Sequence, residues 1–441
     1  FSCSMPNTLA SSSSLGGFHP PINPYRVVSV KSQQEGELDV DVASVRGLYT
    51  GLSDGWTYLN AHDQPQIAER VSAGVARAFR MSPAVAAVET SGGSHSAPVA
   101  AGRLERADFI ATARMAIADL TGAHRNSVVL GPSLPVLYSR LASKLGPLLR
   151  RNSAVVLQRL DSASLGDIAA NIRWAQPDLG TGELPGYQFN ELIDGTTRFV
   201  SFTAAHATLG AVAEVSEITD IIRRQSRAWS LVDVSALATY RAIDIGELGA
   251  DILGIDLAQI GGPEVAALVF RDATMFKRLN ITRDDLESRV SAGLAGGVGP
   301  LADHFARLGD PDDQLRGSRR TRLRNSMLKV SEHMSHLSDE LYALMGSLPA
   351  VHILGVTGEA ASGARTDNRI PRLSFAVKNV PADTVHQRLL GNGLVTTLTP
   401  RSELLSEMGV DDIGGAVTVS LSPFNTHQDI EHLVRVVASL A

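Results

Sequence analysis

Apolar runs alternate with amphipathic stretches through the middle of the chain. Short runs of consecutive apolar residues, typical of strands buried on both faces, predict strands at 128–130, 154–157, 197–202, 231–234, 252–255 and 266–270. Between them, residues 107–120 and 217–227 place apolar side chains at the helical period of 3.6. Strands that alternate with helices predict a mostly parallel sheet covered by helices on both faces. Functional residues of such folds lie beyond the carboxyl ends of the strands.

The last third of the chain has a different pattern. Residues 316–345 predict a long amphipathic helix, ended by Gly346 and Pro349, and strands are predicted at 372–377 and 417–421 before a final helix at 427–440. This mixture is typical of an α+β domain. We therefore predict an α/β fold with a large domain at 39–300 and a smaller α+β domain at 301–441. Whether the N-terminal part of the body contributes to the small domain is left open.

The first 38 residues are rich in serine, glycine and proline and predict a disordered, low-complexity tail. An alternative interpretation is a tether that docks the protein to a larger assembly. The segment lacks the basic and apolar regions of a secretory signal, and the chain has no run of 18 apolar residues. We therefore expect a cytoplasmic protein that is not associated with a membrane.

Composition narrows the classes of function. The 441 residues are 44% hydrophobic and 20% charged, as in an ordinary globular protein, and the net charge of −6 argues against a nucleic-acid partner. Cys3 is the single cysteine, so disulfide frameworks and cysteine-based zinc sites are excluded, and no metal site is predicted. A lysine-dependent mechanism has five candidates, which are Lys31, Lys144, Lys277, Lys329 and Lys378.

Residues 197–272 carry a series of short motifs in a fixed order. The series comprises Leu209-Gly210, a strand ending at Asp233, Gly249-Ala250-Asp251 and Gly262-Pro263. In this order the motifs resemble the central part of class V aminotransferases, the pyridoxal-phosphate family that includes cysteine desulfurases and selenocysteine lyases. The segment 369–375 resembles a strand of the same family, and residues 41–56 are similar to the opening of actinobacterial cysteine desulfurase-like proteins. The resemblance covers about residues 40–440 and implies an aspartate aminotransferase-like large domain and a homodimer whose pocket includes partner residues.

The resemblance also assigns positions in the cofactor site. In active members a lysine forms an imine with the cofactor, and here Gln259 stands in its place. An amide nitrogen is not basic and forms no imine, and no lysine lies between Lys144 and Lys277. Asp233 stands where the family carboxylate pairs with the pyridine nitrogen. Its alternative role is to cap the turn after its strand.

The remaining assigned positions have lost their family residues. Ser133 lies in the phosphate-binding turn beside Pro132, which has no N–H, and Ser133 also suits the N-cap of a helix. Asp256 replaces a phosphate-binding serine and would repel a phosphate dianion, which Arg289 could offset. His206 lies next to the position of a family asparagine. Further positions without the family residue are Ala163, Ala207, Ala236 and Thr418, and the loop at 396–408 has no persulfide cysteine.

Three hypotheses follow from these replacements. The first is a catalytically degenerate, non-catalytic family member, a pseudoenzyme that acts as a partner or scaffold, forms a homodimer or a heterodimer with an active relative, and holds no cofactor. Pyridoxal phosphate is then implied by family resemblance alone. The second is an enzyme that reuses the old pocket, with Asp233, His206 or Asp256 as acid–base groups, or a residual pyridoxal-phosphate binder that acts on amino acids. The third places the function in the tail.

Overall fold

The computed structural model describes residues 40–52, 54–85, 104–159, 165, 168, 171–309, 317–356 and 369–440. The predicted tail at 1–38 and Ala163 lie outside these residues. The described residues belong to one compact unit, Asp39–Ala441. A division of this unit at residue 300 stays a prediction.

Thirteen strands are formed by the described residues. They are β1 (Thr57–Tyr58), β2 (Val128–Gly131), β3 (Ala154–Gln158), β4 (Ile172–Ala175), β5 (Thr197–Thr203), β6 (Trp229–Asp233), β7 (Ile252–Asp256), β8 (Ala266–Phe270), β9 (Val351–Ile353), β10 (Arg372–Val377), β11 (Leu394–Val395), β12 (Thr397–Leu398) and β13 (Val417–Ser420). All the strands predicted from apolar runs are present, and none of their ends is shifted by more than two residues. The sequence pattern missed β4, whose Ile172-Arg-Trp-Ala stretch is mostly half-buried and has no continuous apolar run.

Sixteen α-helices are formed by the same described residues. They are α1 (Val42–Arg46), α2 (Glu69–Met81), α3 (Glu105–Thr121), α4 (Leu134–Leu145), α5 (Phe189–Leu192), α6 (Val215–Gln225), α7 (Ser235–Ala238), α8 (Ile245–Leu248), α9 (Thr274–Arg278), α10 (Arg283–Leu286), α11 (Ala292–Ala295), α12 (Val298–Phe305), α13 (Arg319–Gly346), α14 (Ala382–Gly391), α15 (Glu403–Glu407) and α16 (His427–Ala438). A 3₁₀ turn follows β7 at Leu257–Ile260.

Seven strands form the central sheet in the order β2-β8-β7-β6-β5-β3-β4. All neighbouring pairs are parallel except the two that involve β8, which is antiparallel to both β7 and β2. Strands β2, β3, β7 and β8 consist almost wholly of buried residues, because helices cover both faces. The predicted mostly parallel, mixed sheet between helices is confirmed. The carboxyl ends of β5, β6 and β7 meet at one edge of this sheet.

A second sheet of four strands, in the order β12-β13-β10-β9, is fully antiparallel and lies in the C-terminal third. The N-terminal part of the body reaches this region, since β1 pairs with β11 in parallel and Asn60 forms an isolated bridge with Ser420. Gly210, in the segment after β5, has a φ of 74° and lies so close to β10 that a Cβ there would be 2.5 Å from the carbonyl oxygen of Arg372. The fold thus brings residues near position 60 beside the strands at 372–377 and 417–420.

Among the described residues, no helix is long and apolar enough to cross a membrane. The same part of the chain contains no cluster of three histidine, cysteine or acidic side chains with the geometry of a metal site.

Candidate functional site

A cavity of about 230 Å³ opens at the carboxyl ends of β5 and β6. Its walls come from residues 203–208, from Asp233 to Ala236, from Gln259 in the 3₁₀ turn after β7, and from a surface segment at 400–405. Three of the predicted site residues, Asp233, His206 and Gln259, therefore line one cavity. Ala207 and Ala236, the positions of two lost family residues, line it too.

Asp233 ends β6, and neighbours from two helices hold its carboxylate. Oδ1 accepts hydrogen bonds from the backbone N–H of Ser235 at 2.9 Å and from its hydroxyl at 2.6 Å, and Oδ2 accepts one from the Tyr138 hydroxyl at 3.3 Å. Burial raises the pKa of Asp233, and these hydrogen bonds partly oppose the rise. The carboxylate thus caps the turn after its strand, as one interpretation of the sequence predicted, while it also lines the cavity.

Asp256 ends the neighbouring strand β7 and is connected to Asp233 through Ser235. The backbone N–H of Asp256 donates to the Ser235 hydroxyl at 2.9 Å, and its own carboxylate accepts from the backbone N–H of Ala258 at 3.1 Å. Burial raises the pKa of Asp256; the Ala258 hydrogen bond opposes this, and the negative charges of Asp233 and Glu264 add to the rise. Two carboxyl groups whose pKa values are raised therefore lie at this corner of the sheet edge.

His206 follows β5, and its ring is fixed in one tautomer. Its Nδ1 accepts hydrogen bonds from the backbone N–H groups of Thr208 at 3.2 Å and Leu209 at 3.1 Å, so the ring proton lies on Nε2. Burial, with the positive charges of Arg369 and Arg372, lowers the pKa of His206 to about 4. A neutral imidazole of this kind donates a hydrogen bond at neutral pH but holds no second proton to give away.

No described lysine lines the cavity around Gln259. Lys277 and Lys378 are exposed on α9 and after β10, whereas Lys144 and Lys329 are half-buried on α4 and α13. The cavity wall that contains Asp233 therefore includes the amide of Gln259 and no described amine.

The segment at 400–405 closes one side of the cavity with Pro400, Ser402 and Leu405. Arg159, just after β3, holds this segment through α15, donating to Glu403 at 2.6 Å and to Glu407 at 2.7 Å. No motif in the sequence predicted this contact. Arg159 and Glu403 are 244 positions apart, so no local pattern could have revealed this contact.

Two predicted site residues lie elsewhere. Ser133 occupies the N-cap position of α4, but its side chain makes no capping hydrogen bond, so the capping interpretation holds for its position alone. Arg289 is exposed and lines a different cavity, of about 310 Å³, together with Arg106, Arg114 and Glu287. Within one chain Arg289 does not line the cavity beside Asp233, and its role in offsetting the charge of Asp256 stays a prediction. The sequence stretch around 289 has no periodic signal that would have placed it.

Sequence reasoning missed Tyr138, whose hydroxyl donates to Asp233 in the cavity wall. It lies one turn into α4, and α4 packs on β7 so closely that a Cβ at Gly254 would meet the Tyr138 hydroxyl. The apolar periodicity of α4 marks Tyr138 as a core residue, and its hydroxyl meets a carboxylate 95 positions away only in the folded protein.

The residues at this edge do not fit pyridoxal phosphate held in the family manner. The amine for an imine is absent at Gln259. The N-terminus of α4, where the family binds phosphate, is flanked by Pro132 and includes Pro135, neither of which has an N–H to donate. Asp256 adds negative charge at the same edge. A phosphate dianion bound at this helix N-terminus would lack two backbone N–H donors and would lie near a carboxyl group that disfavours it.

Comparison with known proteins places the chain in a family. A profile of class-V aminotransferases matches residues 161–278. An uncharacterized protein of Mycobacterium tuberculosis is 36% identical over 419 residues, which span 91% of this chain and 99% of the relative. The chain belongs to the class V aminotransferase family, as the motif order predicted.

Solved structures agree on the fold. The apo cysteine desulfurase from Thermococcus onnurineus superposes with a TM-score of 0.72 at 16% identity, covering 91% of this chain and 98% of that one. A mutant of C-DES with glycine covalently linked to its PLP cofactor gives 0.65 at 17% identity, covering 89% and 98%. At such identities the likeness establishes the fold alone, a cysteine desulfurase-like fold whose family depends on pyridoxal phosphate.

Proposed function

We propose that this chain is a non-catalytic member of its family, which keeps the fold and an open cavity but has lost imine chemistry. The observation that carries the proposal is Gln259 in the cavity wall beside Asp233, with no described lysine in that wall. The primary amide has no basic lone pair with which to attack an aldehyde. The misfit of the α4 N-terminus with a phosphate group supports the same conclusion.

Absorbance spectroscopy tests this proposal. The protein is purified with an excess of pyridoxal phosphate, desalted, and measured in the near-ultraviolet and violet before and after borohydride. We expect no band that borohydride fixes to the protein. A covalently fixed band, traced by peptide mass to one of the lysines, would contradict the proposal.

Gln259→Lys is the matched variant, because it restores an amine at the family position and changes little else. A reducible band in this variant alone would assign the loss of chemistry to residue 259. Absence of the band in both proteins would assign it to the phosphate end of the cavity as well. The wild-type result decides the proposal in either case.

We also propose that the protein forms a dimer and functions through partner proteins. The support is the family fold, in which the pocket is shared between subunits, and the position of Arg289, which is exposed at a second cavity of its own chain. Light scattering coupled to size exclusion is expected to give twice the chain mass of 46.8 kDa. A monomeric mass, with dimers formed only when an active relative is added, would indicate a heterodimer instead of a homodimer.

A further inference from the structure

Arg372 begins β10 and is 1% exposed. Its Nε donates to the Tyr240 hydroxyl at 3.2 Å, its Nη1 donates to the Ala207 carbonyl at 3.1 Å, and the guanidinium lies 5.4 Å from the centre of the Tyr240 ring. Its Nη2 is buried and has no hydrogen-bond partner. Among the described residues no carboxylate forms an ion pair with it. Within the described part of the chain, Arg372 is therefore a buried cation that only neutral groups contact.

A guanidinium stays protonated in proteins, so burial cannot neutralise it. A buried charge without a counter-charge is strongly disfavoured. Arg369, three residues earlier and 6% exposed, shows how the fold satisfies such a group. Its Nη1 donates to Leu209, its Nη2 donates to the carbonyls of Thr181 and Gly355, and Glu183 lies 4.0 Å away. The same arrangement is missing at Arg372.

Two further buried polar atoms without partners lie around the same strand residue, Ser420. Ser420 pairs with Arg372 across β10 and β13. Asn60 forms a parallel bridge with Ser420, and the backbone N–H of His62 donates to the Ser420 hydroxyl at 2.8 Å. Asn60 Oδ1 and His62 Nδ1 are both buried and unpartnered. The segment at 60–62 and strand β10 thus bring three unsatisfied polar atoms to the neighbourhood of Ser420.

Arg372 supplies the positive charge of this cluster. Burial, followed by the positive charge of Arg372, lowers the pKa of His62 to about 4, while the nearby carboxylate of Asp63 opposes that shift. His62 is therefore neutral at pH 7 and can donate from Nδ1. Asn60 can present either its oxygen or, with its amide turned over, its Nδ2–H. The cluster has donors and one net positive charge.

We propose that Arg372, His62 and Asn60 form a binding site for a small monovalent anion, a halide or the carboxylate of a small organic molecule. The anion accepts from Arg372 Nη2 and His62 Nδ1 and supplies the missing counter-charge. His62 is only half-buried, so one side of the cluster reaches the protein surface. Ala207, whose carbonyl Arg372 holds, also lines the cavity beside Asp233, so the anion site adjoins that cavity. This site does not depend on whether the cavity binds a cofactor.

The experiment measures thermal unfolding of the full-length protein at constant ionic strength. Sodium gluconate, whose anion is too bulky for a buried site, is replaced stepwise by chloride, formate or acetate. We expect the midpoint of unfolding to rise and saturate as the small anion replaces gluconate. An equal rise of the midpoint with chloride and with formate would indicate a site for a free ion. A rise with acetate or formate but not with chloride would indicate a site for a carboxylate group. A midpoint that is unchanged for all three anions overturns the proposal.

Arg372→Met removes the charge while it keeps an unbranched chain of similar length, and it is expected to abolish the anion-dependent rise. Arg369→Met is the matched control: it removes a buried arginine whose Nη1 and Nη2 are both hydrogen-bonded, lowers the midpoint at every salt composition, and keeps the rise. If Arg372→Met does not fold, crystals of the wild-type protein grown in bromide decide the question by anomalous scattering. A bromide peak within hydrogen-bond distance of Arg372 Nη2 supports the site, and its absence overturns it.

Discussion

The buried pair of His304 and Tyr49 predicts how the protein responds to acid. His304 on α12 is 3% exposed, and its Nε2 lies 2.7 Å from the Tyr49 hydroxyl, which follows α1. Its Nδ1 is buried without a partner. Burial, and then the charge of Arg70, lowers the pKa of His304 to about 3 from the usual 6.5. The folded protein therefore resists protonation at a site that the unfolded chain protonates readily.

The direction and size of the effect follow from linkage. Because the unfolded chain binds the proton more tightly, the contribution of His304 to stability is fully present above pH 6.5 and is lost as the pH falls toward 3. Over the linear part of this window the loss is about 1.4 kcal/mol per pH unit. Between pH 7 and pH 5, the two pKa values give a loss of about 2 kcal/mol in the free energy of unfolding.

His304→Gln isolates this contribution. Glutamine does not titrate, and its amide reaches the Tyr49 hydroxyl much as Nε2 does. Urea unfolding, followed by tryptophan fluorescence at pH 7, 6 and 5, gives the free energy of unfolding for both proteins. The wild-type protein is expected to lose about 2 kcal/mol more than the variant between pH 7 and pH 5. All other titrating groups are shared, so equal losses in the two proteins would refute the reasoning.

Two further predictions concern the framework of the cavity. Gly210→Ala is expected to destabilise the protein by about 2 kcal/mol or more, because φ is 74° and the new Cβ would lie 2.5 Å from the carbonyl oxygen of Arg372. Gly195→Ala, where a Cβ meets nothing within 4 Å, is the control, and urea midpoints that fall equally for both would contradict this explanation. Arg159→Ala is expected to change global stability by about 1 kcal/mol or less, since its ion pairs with α15 are partly exposed. Amide hydrogen exchange at 400–405 should nevertheless become faster, and unchanged exchange there would show that Arg159 does not hold the cavity wall.

The strands of the central sheet could be predicted because each is a short, buried apolar run. β8 was predicted with its bounds unchanged, and β2, β3, β5 and β7 were placed to within one residue. Strand ends matter for the site, and Asp233 could be identified at the end of its predicted strand, whereas Asp256 was assigned through the family resemblance. Gln259 was found by the order of motifs, and the cavity wall contains it.

Contacts between distant segments could not be predicted in this way. Tyr138 and Arg159 belong to the surroundings of the cavity, and their partners lie 95 and 244 positions further along the chain. Arg289 was assigned to the site by alignment, and the fold placed it at another cavity. The sequence of one strand does not show which side chains from another part of the chain will pack against it.

The family, the mostly parallel sheet and the lack of an amine at residue 259 could all be predicted from the amino-acid sequence, because periodicity, motif order and composition are local properties. The folded chain was needed to see that Arg372 is a buried charge with no counter-charge among the described residues and that Asn60 and His62 lie beside it. In the sequence Arg372 is one of many arginines. Its burial follows from the pairing of β10 with β13 and from the return of the N-terminal segment to that sheet, and such long-range pairings depend on packing of the whole chain.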